Sequence, residues 1–171
     1  MLQHFLSRLG WFVLLLAFQV LIFNHIHILG YATPLPYVYF LLILSGSTPR
    51  WLYITLGFVM GLSVDLFNNT PGMAAAALCA CGLVAPRLMA AFAPSDRSDD
   101  DFLPSSRTMK WGGFLRYASS LIVLHCALFF TIEAFSLDYW GTLLLDIVSS
   151  SVLTLLFVIA LEAVRSHRSQ Q

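Results

Sequence analysis

The sequence predicts an all-α, polytopic membrane protein with six transmembrane helices, the second short and preceded by prolines. Three observations carry this expectation. The 171 residues are 58% hydrophobic and 11% charged, with a mean hydropathy of +0.80. Soluble domains carry about 25% charged residues, so this chain lacks the polar side chains to cover a surface in water. Several apolar stretches approach the roughly 20 residues that a helix needs to cross a bilayer. Finally, all nine Lys and Arg fall on one side once these stretches alternate across the membrane, as the positive-inside rule demands.

The first span is Leu6–Phe23, with Arg8 near its start. "NHIHILGYATPLP" follows without a small-x-small cleavage site, so the run reads as a retained span rather than a removed leader. Trp51–Phe67, Gly72–Phe92, Phe114–Phe135 and Tyr139–Val164 supply the third to sixth spans. The second, within "YATPLPYVYFLLILSG", is awkward. Its uninterrupted part, Tyr37–Leu44, gives only about 12 Å of helix at about 1.5 Å per residue. Pro34 and Pro36 discourage helix before it, yet the charge pattern requires a crossing there. The expected element is a short helix from about Tyr37, entered by an extended proline-containing segment. Irregular backbone at membrane depth must be buried in protein, so Tyr31–Pro36 is expected to pack against other spans or to lie at the outer surface.

With the N-terminus and Arg8 in the cytoplasm, the inner connections carry Arg50, then Arg87, Arg97, Arg107, Lys110 and Arg116, then Arg165 and Arg168. The outer connections, Asn24–Pro36, Asn68–Pro71 and Glu133–Asp138, carry no basic residue. Both termini are therefore expected inside. Trp11, Trp51 and Trp111 lie near the basic ends, and Tyr139 and Trp140 near an outer end, as aromatic belts. The chain reads as a single integral membrane domain, 1–171. A cytoplasmic loop at 93–113, rich in Pro, Ser, Asp and Gly, reads as a solvated connection. Its Asp99–Asp101 run serves solubility, or docks a cytosolic partner.

Chemistry has few footholds. The basic residues are scattered and form no stripe with interleaved aromatics, so nucleic acid is not an expected partner. Cys79, Cys81 and Cys126 lie inside apolar runs and read as small packing residues. HExxH, G-x-S-x-G and phosphate-loop signatures are absent. Gly61-Leu-Ser-Val-Asp65 is not the GxGD signature of intramembrane proteases. The pair His25 and His27 is too sparse for a metal site. No catalytic activity and no cofactor are expected.

The third and fourth spans hold the most information. Gly57 and Gly61 form a GxxxG, and Asp65 continues their row at i+8. The glycines predict close helix packing, and Asp65 an internal hydrogen-bonding role. Asn68 and Asn69 suit the turn. Thr70 is the expected N-cap of the fourth span, with Pro71 at its first position. Gly72 and Ala74–Ala77 form a second small-residue face. These faces either pack internally or receive a partner's span. Deeper in the membrane, His125 and Asp146 have similar depths, with Ser149 and Ser150 at i+3 and i+4 from Asp146. They form a candidate buried polar cluster, the alternative being that each finds a separate partner. Glu162 and Arg165 read as an ordinary ion pair at a cytoplasmic helix end, and Gln19 as a bridge to another helix.

Taken together, the short length, six spans, inside termini and the run Gly61, Asp65, Pro71, Gly72 resemble the rod shape-determining MreD family, whose signature is G-x-x-x-D followed by P-G. "DLFNNTPGMAAAA" is similar to one bacterial subtype. The resemblance implies a bacterial inner-membrane component of the elongation machinery. It implies binding to MreC, a single-span partner, and work alongside MreB and the RodA–transpeptidase pair that builds lateral wall peptidoglycan. It implies a fold resembling the substrate-binding membrane subunits of energy-coupling-factor vitamin transporters, and no catalytic residues. The alternative expectation is a transporter subunit for a small, vitamin-sized ligand. That reading requires a polar chamber at mid-depth, lined by His125, Asp146 and Gln19.

Overall fold

The computed structural model describes residues 2–23, 32–70, 72–94, 102–134 and 140–168. Among them the chain forms six α-helices and one 3-10 turn. Helix α1 spans Leu2–Leu21, and a 3-10 turn at Pro36–Val38 runs directly into α2, Tyr39–Leu42. The longer helices are α3 (Arg50–Asn68), α4 (Met73–Phe92), α5 (Lys110–Ala134) and α6 (Trp140–Arg168). Four of these, α3 to α6, are long and apolar enough to cross a membrane. In α1 the apolar stretch Ser7–Leu21 is shorter.

α3 packs most extensively on α4, α4 on α5 and α5 on α6, while α1 leans on α3 and on the 3-10 turn. The outward faces carry large apolar side chains. Leu66 is 74% exposed, and Leu144, Leu145, Val148, Val152 and Leu156 line one side of α6. Such a surface is costly in water and natural in lipid, where helix exteriors need no polar cover.

The core is built around the awkward segment. Every side chain from Tyr37 to Leu42 is at most 2% exposed, and Leu44 is fully buried. α2 has four residues, so the helical part is shorter than the sequence suggests. Proline explains the start: Pro36 sits in the first turn, where its missing N–H costs nothing. The end is fixed from outside, because the Tyr53 hydroxyl donates to the carbonyls of Leu44 (3.0 Å) and Ser45 (3.2 Å). Aromatic edges from α1 hold the segment's flank, Trp11 against Tyr39 at 5.7 Å and Phe12 against Phe40 at 5.4 Å between centroids.

The loop expected to be solvated is partly docked. Phe102 accepts the Gly46 N–H at 2.7 Å, and Ser106 and Met109 are buried. The Asp99–Asp101 run lies outside the described residues, as do Pro71 and the outer connection from Asn24 to Tyr31.

Candidate functional site

Two polar ties hold this apolar bundle. The first is centred on Asp65, on the last turn of α3 and 2% exposed. Its Oδ1 accepts the Thr70 hydroxyl at 2.6 Å and the Ala74 N–H at 3.0 Å. Its Oδ2 accepts the Ala75 N–H at 2.9 Å. Ala74 and Ala75 are in the first turn of α4, whose leading N–H groups have no partner within the helix. Asp65 therefore caps α4 from the neighbouring helix, and its charge complements the positive end of the α4 dipole.

This corrects the expected cap. α4 begins at Met73, not Pro71, and its N-cap is Gly72 in the left-handed region at φ 81°. Thr70 does not cap the helix; its hydroxyl donates to Asp65. The reason lies in the turn. α3 ends at Asn68, and Asn69 turns left-handed at φ 55°, a conformation asparagine tolerates. The reversal brings the α4 amides over a carboxylate that accepts about four bonds, a better cap than one hydroxyl.

Close approach makes this geometry reachable. A Cβ on Gly61 would lie 2.5 Å from the Cα and N of Ala75. One on Gly57 would lie 2.8 Å from the Leu78 carbonyl oxygen, and one on Gly82 2.7 Å from that of Tyr53. All three glycines sit in the α3–α4 seam. The small-residue faces at Gly57 and Gly61 thus pack inside the chain, backbone to backbone. A shallow notch of about 320 Å³ remains above Asp65, between Leu62, Leu66, Asn69 and Gly72.

The second tie joins the proline-broken segment Thr33–Leu44 to α6. The Thr33 N–H donates to Ser150 Oγ at 3.0 Å, and the Leu35 N–H to Thr154 Oγ1 at 2.9 Å. The Tyr39 hydroxyl donates to Glu162 Oε2 at 2.7 Å. Ser150, Thr154, Val158 and Glu162 recur every four residues, and all four are fully buried. From Ser150 to Glu162 the segment follows α6 for about 18 Å, at about 1.5 Å per residue. α6 supplies the hydrogen bonds that an extended backbone inside an apolar bundle cannot get from water.

Glu162 is more than a helix-end ion pair. Arg165 Nε does lie 3.4 Å from its Oε2. But Glu162 also accepts the Ser106 N–H at 2.8 Å, and Arg165 reaches the Pro104 carbonyl and stacks near the Tyr39 ring at 5.9 Å. One carboxylate joins α6, the broken segment and the docked loop. Sequence spacing alone does not reveal this role, because Val158 interrupts the polar row of Ser150, Thr154 and Glu162.

The expected His125–Asp146 cluster does not assemble. His125 is fully buried, and its Nε2 lies 3.0 Å from the Tyr37 hydroxyl. Ser149 donates to the Leu145 carbonyl of its own helix at 2.6 Å, while Ser150 serves the broken segment. The backbone carbonyl of Asp146 accepts the Ser149 hydroxyl at 3.4 Å, and its partly exposed carboxylate has no hydrogen-bond or ion-pair partner among the described residues. Tyr37 displaces the expected contact because it enters the bundle from a segment whose path the sequence does not specify. Among the described residues no three His, Cys, Asp or Glu side chains gather as metal ligands.

A second cavity, of about 410 Å³, opens at the basic end of the bundle, where Arg8, Arg107 and Arg165 converge. Neither cavity is lined by His125, Asp146 or Gln19. Comparison of the chain with protein-family models, with curated proteins and with solved structures finds no match.

Proposed function

We propose that the chain is a membrane scaffold of the MreD type, which binds an MreC-like single-span protein and supports lateral wall synthesis and rod shape. In this reading it crosses the bacterial inner membrane six times with both termini in the cytoplasm, and Thr33–Leu44 makes the second crossing. MreB and the RodA–transpeptidase pair are indirect partners, reached through the same complex.

The observation that carries the reading is the filled centre. The place where a transporter subunit would keep its ligand chamber is occupied by Tyr37–Leu44, with His125 closed by Tyr37. A vitamin-sized ligand needs roughly 300 Å³ or more, and the residues that would line its chamber border neither cavity. The Asp65 tie adds support, because it gives the G-x-x-x-D and P-G resemblance a physical purpose: a rigid outer hairpin. Asp146 supplies a docking point. A carboxylate about 9 Å inside the outer end of α6, beside exposed Leu145 and Val148, is costly in lipid and gains from a donor on a partner's span.

The test is depletion in the native bacterium combined with crosslinking from α6. Rod cells becoming round, with an MreC-like protein crosslinked through position 146, is the expected result. Unchanged shape together with lost uptake of a nutrient would overturn the scaffold in favour of the transporter.

A further inference from the structure

We infer that the cavity at the basic end is a binding site for a phosphate-bearing anion, with the phosphate of an anionic lipid headgroup as the ligand that fits it best. The cavity, about 410 Å³, is formed by four separate parts of the chain: α1 through Arg8 and Trp11, the end of α2 through Ile43, the docked loop through Ser105, Arg107 and Thr108, and α6 through Arg165. Three guanidinium groups facing one space repel one another, and an arrangement of that kind gains from a counter-ion. Arg165 is partly neutralised by Glu162 and bonded to the Pro104 carbonyl. Arg8 and Arg107 have no acidic partner among the described residues. Among the described residues, one carboxylate against three guanidiniums leaves a net of two positive charges.

The chemistry of the walls narrows the ligand. Guanidinium forks match the oxygens of phosphate and carboxylate alike, so the other walls must narrow the choice. Ile43 and Leu103 add an apolar wall beside the arginines, and Trp11 stands where an aromatic ring meets the headgroup layer. Charged and apolar walls side by side suit an amphipathic phosphate ester. Basic pockets between spans on the cytoplasmic side are suited to anionic headgroups. The hydroxyls of Ser105 and Thr108 bond to each other at 3.1 Å and shape the loop, so the arginines are the recognising groups. The lipid source rests on the membrane placement proposed above; the anion site rests on the cavity alone.

The experiment uses the full-length protein in a non-ionic detergent, stripped of lipid and examined by native mass spectrometry. The probes are phosphatidylglycerol, phosphatidylcholine and inorganic phosphate. Phosphatidylglycerol is expected to be retained in preference to phosphatidylcholine. Arg8→Gln and Arg107→Gln should each weaken its retention about five-fold, the equivalent of roughly one interfacial arginine. Arg116→Gln, an exposed α5 position outside the cavity, should leave it unchanged. Neither tested arginine has an acidic partner among the described residues, so its loss should not unfold the protein, and unchanged thermal unfolding of each variant checks this. Displacement of the lipid by inorganic phosphate would support the site and assign it to soluble phosphates; resistance to displacement would support it and assign it to lipid. Equal retention of the two lipids, or an Arg116→Gln effect as large as that of Arg107→Gln, would overturn it. None of these outcomes depends on cell shape, so failure here leaves the scaffold reading to its own test.

Discussion

In the α3–α4 hairpin, Asp65 finds its three partners 5, 9 and 10 residues away. In the broken segment, Thr33, Leu35 and Tyr39 find theirs 117, 119 and 123 residues away. Both regions face one problem, polar groups inside an apolar bundle with no water to satisfy them. The hairpin solves it locally, by glycine contacts that bring a helix start under a nearby carboxylate. The segment solves it at long range, and borrows hydroxyls and a carboxylate from the last helix. Local solutions can form early, whereas those that close long loops must wait for distant chain to arrive. The first half of the bundle should therefore be the more independent, and the segment should depend on α6.

The largest way to break the long-range side is at Glu162. Glu162→Ala removes the acceptor for Tyr39 and Ser106 and leaves Arg165 without its counter-charge. The expected loss is about 3–5 kcal/mol, as for one partner of a buried pair, measured by unfolding of the purified protein in detergent. Glu162→Gln keeps the shape and one acceptor oxygen, and should lose less. A change of about 0.5 kcal/mol or less in the alanine variant, the size of an ordinary surface substitution, would mean that the segment is not anchored there.

The matching break in the hairpin is steric. Gly61→Ala places a methyl 2.5 Å from the Ala75 backbone, and backbone cannot rotate aside. An expected cost of about 3 kcal/mol sits at the upper end of overpacking effects. Cysteine crosslinks across the α3–α4 seam should weaken in parallel, whereas crosslinks between the segment and α6 should hold. Loss of both together would show that the two ties are one cooperative unit.

Next comes Asp65→Asn, which tests the cap with little change of shape. The amide has a single acceptor oxygen, so it cannot serve the N–H groups of Ala74 and Ala75 as the carboxylate does. The expected cost is about 2 kcal/mol, for one unsatisfied buried donor. Hydrogen exchange of the first turn of α4 should accelerate first. If exchange there is unchanged, the cap is not what holds α4 in place.

The same contrast explains what could be read in the sequence. Glycine spacing, the Asn-Asn turn and an aspartate one turn before it encode the hairpin within a short window, so the packing of α3 on α4 and the inward aspartate were legible. The wrong residue was nonetheless assigned the cap, because Thr70-Pro71 is a good local helix start and only the fold places Asp65 over the amides. The shortness of the helix after the prolines also followed from physics, while burial of the stretch before it was one of two open alternatives. The segment's partners did not follow. Ser150 and Thr154 carry no sign of which backbone groups they serve, and Tyr37 looked like one more apolar residue until it met His125. Glu162 read as a surface pair because Arg165 follows it at i+3, a pattern that is usually exposed. Composition alone makes the polar loop look solvated, but Ser106 is buried by the Glu162 carboxylate.

The smallest expected effect is the most discriminating. Ser150→Ala and Thr154→Val each remove one acceptor from the broken segment, the first for Thr33 and the second for Leu35. Each should cost about 1 kcal/mol, the lower end for a buried N–H left unpaired. If the segment is held as a row of separate bonds, the two losses add. If it is held as one strap, releasing either end loosens the other, and the double variant costs less than the sum by about 0.5 kcal/mol or more. Asp65→Asn combined with Thr154→Val supplies the reference, because those sites share no partner and their costs should add. A non-additive result within the α6 row beside an additive one across the bundle would make the segment a cooperative strap. It would thereby locate the chain's long-range cooperativity on α6, the helix that also carries the open Asp146 carboxylate.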